Sequence, residues 1–180
     1  MEIQQLQENL SEHFTDKIIS CIIDKDHVVL TANVDNLYAI FLELKSELKY
    51  NFQMFMDLTA VDWLDRQPRF DLVYHLYSVE LNHRLRIKIP LIEGQAVSSV
   101  SGLWSIADWM EREIWDLYGI KFSGHPNLKR ILMYDEFKGH PLRKDFAYDQ
   151  RQPLIQDAWP SRPFQVNVKG LKIHRPGNDV

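Results

Sequence analysis

"FDLVYHLYSVELNHRLRIKIP", Phe70 to Pro90, decides the fold. Its last seven residues alternate strictly. Leu85, Ile87 and Ile89 fall on one face, and Arg84, Arg86 and Lys88 on the other. Successive side chains of a strand point to opposite faces, so this is a strand with one face in a core and one face wet or given to a partner. Phe70 to Val79 reads as a second strand, and Asn82-His83 as the hairpin turn between them. Phe52 to Val61 reads as a further strand just before, while "KIISCII" (Lys17 to Ile23) and "HVVLTAN" (His27 to Asn33) form an earlier pair, turned at Asp24-Lys25-Asp26. Between these groups Leu37, Ile40, Phe41, Leu44 and Leu48 recur at helical spacing, with Asp35 or Asn36 as cap, and Ile3, Leu6, Leu10 and Phe14 mark an N-terminal helix. Runs of strands separated by helices predict an α+β fold. It is a two-layer structure with a mostly antiparallel or mixed sheet and helices packed on one side. Residues 1–150 form this domain. Residues 151–180, with Pro153, Pro160, Pro163 and Pro176 and weak periodicity, form an extended C-terminal tail.

Composition removes several function classes. Hydrophobic residues make up 45% of 180, enough for a sizeable core and against wholesale disorder. A formal net charge of -4 argues against a dedicated nucleic-acid binder. The single cysteine, Cys21, excludes an internal disulfide, a four-cysteine zinc site and iron–sulfur ligation within the chain. Cys21 lies in an apolar strand and reads as a small hydrophobe rather than a nucleophile. The start, "MEIQQLQENL", lacks the pattern of a secretory signal. No apolar run approaches the ~20 residues that span a bilayer, so no direct membrane insertion is expected.

The unusual chemistry lies later. "SIADWMEREIWDLYG" is an amphipathic helix of roughly 14 residues, capped by Ser105 with Asp108 in capping-box spacing and ended by Gly119. At about 100° per residue Glu111 falls within its apolar arc, so a buried carboxylate needing donors is expected there. Trp109 falls on the polar arc, which predicts a cover of loop or partner. The next stretch contains Gly-His-Pro twice, at Gly124-His125-Pro126 and Gly139-His140-Pro141. Each glycine permits an unusual turn and each proline extends the residue before it, so the repeat is first a backbone device. Glu111 or Glu113 is expected to pair with Arg130 or Arg143, clamping these loops to the helix; a solvated helix face is the alternative for either glutamate. His125 and His140 with the Asp57/Asp62 group also admit a metal-dependent hydrolase, although no metal-ligand spacing is present, and Asp57, Asp62, Asp65 and Asp71 admit an acid–base pair. Strand ends and turns commonly carry aspartate, which is the plainer reading of those four. Lys121 to Asp145 holds six basic against three acidic residues. A basic segment in a net-acidic chain suits charge-complementary docking.

"EREIWDLYGIKFSGHPNLKRILMYDEFKGHPLRKDF", with "DLTAVDW", "RFDLVYHLYS", "RLRIKIPL" and "VSSVSGLWSIADWMERE" upstream, resembles the C subunit, or thirty-kilodalton-type subunit, of NADH:quinone oxidoreductase, respiratory complex I. The likeness runs over residues 27 to 146. It implies a scaffold without catalytic residues or metal, in the peripheral arm on the cytoplasmic face of the bacterial inner membrane. The expected partner is the D subunit, the forty-nine-kilodalton type, near the quinone site. FMN, iron–sulfur clusters and quinone belong to partner subunits, and none is expected in this chain. The signature residues so implied are Glu111, Arg112, Glu113, Asp116, Gly119, Gly124, His125, Pro126, Arg130, Gly139, His140, Pro141, Arg143, Lys144 and Asp145. Ser105 and Ala147 stand where the family often has proline, and the tail matches the family pattern poorly. No fused D-type domain follows, which implies the stand-alone form. Equivalent subunits of membrane-bound hydrogenases and plastoquinone-linked complexes are the neighbouring reading.

Overall fold

A computed structural model of the chain describes residues 2–149 and Gln152. The tail expected over 151–180 otherwise lies outside the described residues.

The deciding stretch forms β4 (Phe70–Ser78) and β5 (His83–Leu91), paired antiparallel from Ser78↔His83 to Phe70↔Leu91. Asn82 takes the left-handed φ of 52° that the tight turn requires, and Tyr77 Oη donates to its side chain at 2.9 Å. β3 (Met54–Asp62) adds antiparallel to the far side of β4. β1 (Ile18–Asp24) and β2 (His27–Ala32) form a hairpin through Lys25, also at positive φ, and β2 joins β5 in parallel. The sheet order is therefore β1-β2-β5-β4-β3, mixed by one parallel pair.

The alternation read in β5 holds in space. Leu85, Ile87 and Ile89 are buried beside Leu76, Tyr74 and Leu72, their partners on β4. Helices α1 (Ile3–His13) and α2 (Leu37–Ser46) supply Leu6, Leu10, Leu37, Ile40, Phe41 and Leu44 to the same core. Phe41 meets Tyr74 edge-on at 4.8 Å and Trp104 at 5.8 Å. Each fully buried side chain of this size contributes roughly 1.5–3 kcal/mol. Two helical details depart from expectation. Leu48 lies beyond α2 and is 86% exposed, because the chain leaves the helix at Ser46. A short 3₁₀ turn (Val34–Asn36) precedes α2 with no side-chain cap; Asn36 instead donates to the Lys17 carbonyl at 3.2 Å.

The signature helix, α3 (Ala107–Tyr118), connects β6 (Val97–Ser98) to β7 (Phe122–Ser123). These two short strands pair in parallel. A parallel pair needs a crossover, and α3 supplies it, so both ends of the helix are fixed by one small sheet.

Candidate functional site: a loop clamped to the signature helix

α3 begins at Ala107, one residue later than the capping box implies, and no side chain caps it. Ser105 contributes only its carbonyl, which accepts the Asp108 N–H at 3.3 Å. The helix spans 12 residues, slightly shorter than expected. Gly119 ends it at φ 80°, with its N–H on the Trp115 carbonyl.

One stripe of α3 organises the loop beyond it. Asp108, Arg112 and Asp116 are spaced four apart, so they line up along one side of the helix. At the first position, His125 donates from Nε2 to the Asp108 carbonyl at 3.1 Å, while its Nδ1 accepts the Asn127 N–H at 3.0 Å. At the second, Arg112 donates to the carbonyls of Lys129 and Arg130 at 3.1 and 2.9 Å. At the third, the buried Asp116 carboxylate accepts the N–H groups of Ile131, Leu132 and Met133 at 3.1, 2.9 and 2.9 Å. Its other oxygen takes Arg130 at 2.5 Å, and Arg130 reaches on to the carbonyls of Phe137 and Gly139.

The second Gly-His-Pro then repeats the action of the first. His140 donates from Nδ1 to the Asp116 carbonyl at 2.9 Å, and the Leu142 N–H bonds the Leu117 carbonyl at 3.0 Å. A Cβ on Gly119 would lie 2.6 Å from the His140 ring, and one on Gly139 would lie 2.9 Å from Phe146. Each copy thus brings an imidazole to a backbone carbonyl of α3, two turns of helix apart. Gly124 and Gly139 take the positive φ that these approaches need, and Pro126 and Pro141 hold the histidines extended.

The expected pairing of Glu111 or Glu113 with Arg130 or Arg143 does not form. Asp116 holds Arg130, and Glu113 is exposed. Glu111 is fully buried but faces the other way. It accepts the Ser99 hydroxyl at 2.6 Å and the Val100 N–H at 2.7 Å, with His125 Nε2 at 3.9 Å. Burial raises the Glu111 carboxyl above its ordinary value, against the pull of those two donors. Burial pushes Asp116 the same way, but three N–H groups and Arg130 outweigh it and hold that carboxyl low. The spacing of 108, 112 and 116 was the available signal for this stripe. The apolar arc drew attention to Glu111 instead.

Arg143 belongs to a second cluster, at the end of the large sheet. Arg69 grips Asp62 through two bonds of 2.8 Å and also reaches Glu93 and Asp145 at 3.1 Å. Arg143 bonds Asp145 at 3.0 Å and also bonds Glu93. The Lys144 N–H donates to Asp62 at 2.8 Å, while its side chain is exposed. Hydrogen bonds from these arginines hold Asp62, Glu93 and Asp145 below the usual carboxylate range. Asp62 and Asp71 are therefore ion-paired rather than an acid–base pair, Asp71 with Arg66. Sequence reasoning missed Arg69 and Glu93, whose partners lie 76 and 50 residues away along the chain. Among the described residues no group of three His, Cys, Asp or Glu is placed to hold a metal ion. Cys21 is half-buried, and burial pushes its thiol up to about 11.

The family model for the 30 kDa subunit of respiratory-chain NADH dehydrogenase matches residues 30–152, which include both clusters and both Gly-His-Pro turns. This chain belongs to that family. A relative from Citrifermentans bemidjiense, the C subunit of NADH-quinone oxidoreductase, is 44% identical over 138 residues, 76% of this chain and 84% of the relative. Among solved structures, a trypsin-resistant fragment of Nqo5 aligns with a TM-score of 0.60 at 23% identity, over 71% of this chain and all of the fragment. A chain of an archaeal respiratory membrane complex, the membrane-bound sulfane sulfur reductase, aligns with a TM-score of 0.69 at 21% identity, over 87% of this chain and 98% of that one. At such identities these two likenesses concern the fold. As a member of this family, the chain is a component of the NADH-quinone oxidoreductase complex. Among its described residues no helix is long and apolar enough to cross a membrane.

Proposed function

We propose that this chain is a non-catalytic scaffold of the peripheral arm of proton-translocating NADH:quinone oxidoreductase, docked on the D-type subunit near the quinone site. The observation that carries this reading is where the signature side chains are spent. Asp116, Arg130, Arg143 and both histidines act on the chain's own backbone or on one another. A catalytic acid or base must instead be free to reach a proton on substrate. Both ring nitrogens of His125 are committed to backbone groups, which speaks against its use as a metal ligand in a hydrolase. On this reading FMN, iron–sulfur clusters and quinone reside in partner subunits. The complex lies on the cytoplasmic face of the inner membrane. Electron transfer from NADH to quinone is then a property of the assembly.

The test is affinity purification of the tagged chain from gently solubilised membranes, with mass spectrometry of what accompanies it. Recovery of a D-type subunit together with flavin- and cluster-bearing chains is expected. The purified chain alone should reduce no quinone from NADH; turnover by it would overturn the scaffold role.

A further inference from the structure

The polar stripe of α3 is consumed by the loop, and large apolar side chains are left exposed along the seam. Trp109 is 62% exposed, Leu132 57% and Ile106 48%. The expectation that Trp109 is covered therefore fails within the chain itself. These side chains stand on a rigid frame. Ile106 and Trp109 are one turn apart, and the Arg112 guanidinium sits over the Trp109 ring at 5.9 Å while bonding the backbone of Lys129 and Arg130. Leu132 is held by its own N–H on Asp116. Little motion remains to be frozen when such a surface binds, which favours tight contact.

Charge points to the kind of partner. Arg130 and Arg143 are neutralised inside the chain by Asp116, Glu93 and Asp145. Arg112 bonds only carbonyls, and Lys129 is exposed; neither forms an ion pair among the described residues. An unneutralised cation therefore stands on each side of the seam. Tryptophan and arginine are also the residues that most often dominate a protein interface.

We infer that Trp109 and Leu132, framed by Arg112 and Lys129, seat this chain in an apolar socket with an acidic rim on the D-type subunit. The inference rests on the docking proposed above and moves the contact away from the internally paired signature charges.

The experiment uses the whole complex, purified from cells in which the only copy of this chain carries a benzoylphenylalanine photocrosslinker at position 109, or at the exposed position 48. Position 109 is expected to crosslink to the D-type subunit and position 48 not to. In parallel, Trp109→Glu, a change at an exposed site, should keep the chain's melting temperature. It should also lower recovery of the D-type subunit by about tenfold, the scale of a truncated hot spot. A crosslink from 109 to any other chain, no crosslink from 109, or undiminished recovery with Trp109→Glu overturns the inference and leaves the docking proposal standing. A wild-type chain that recovers no D-type subunit overturns both.

Discussion

The sheet half and the loop half of this protein are held by different physics. In the first, Leu72, Tyr74, Leu85, Ile87 and Ile89 meet helices through apolar burial, and main-chain groups pair strand to strand. In the second, from Gly124 to Phe146, no regular element longer than a turn forms. There the order comes from individual polar side chains across the seam with α3, Asp116 holding three backbone N–H groups, Arg112 two carbonyls and each histidine one. A core tolerates a change by repacking around it. A loop hung on a few individual side chains has no such reserve.

The largest effects should separate the halves. Phe41→Ala empties a position fully buried against Tyr74 and Trp104. It should cost about 3–5 kcal/mol and lower the urea midpoint of the whole domain. Asp116→Ala should cost a similar amount, about 3–5 kcal/mol, because Arg130 and three N–H groups lose their partner. Its signature differs, however. Limited proteolysis should cut within 124–146 while the sheet's circular dichroism persists. Simultaneous loss of both would show the halves to be one cooperative unit.

Gly119→Ala should come next, at about 1–3 kcal/mol. It places a Cβ at a left-handed φ and against the His140 ring. Gly102→Ala, where no atom lies within 4 Å of an added Cβ, is the control. Thermal melts of the two variants side by side test the difference.

pH sharpens the contrast further. Asp62, Asp116, Glu93 and Asp145 have folded values below their unfolded ones, about 3.9 for Asp and 4.3 for Glu. Their stabilisation is complete above those unfolded values and is lost as pH falls through the folded ones. The loop should therefore loosen in acid before the sheet does. Glu111 has the opposite sign. Its folded value is raised, so its contribution is present below the unfolded value and fades as pH rises through the folded one. Glu111→Gln should stay within about 1 kcal/mol of wild type at neutral pH and remove that fading in melts run from pH 4 to 8, a window set by the roughly 4.3 starting value. At the bottom of the scale, Leu48→Ala should change stability by less than about 0.5 kcal/mol, because Leu48 lies outside α2 and is exposed.

The two halves also differed in legibility. The alternation of β5 and the strand-rich grouping around it carried the α+β class, because a period of two is written in adjacent residues. The parallel pairing of β2 with β5 was not readable in that way, since register between strands far apart in sequence leaves no local mark. In the loop half, Gly124, Gly139 and Gly119 announced their backbone roles, and the repeated Gly-His-Pro marked a device. The partners did not show. Arg69 reaches Asp145 across 76 residues, and the choice of Asp116 over Glu111 for Arg130 depends on where the loop crosses the helix.

One carboxylate holding three consecutive amides also makes a timing device. Ile131, Leu132 and Met133 have no strand or helix to shelter their N–H groups, only Asp116. Their hydrogen exchange should therefore show one common protection factor, set by how often that side chain lets go. Those three signals would form a clock for the seam, and anything that seated itself against Trp109 would slow all three together.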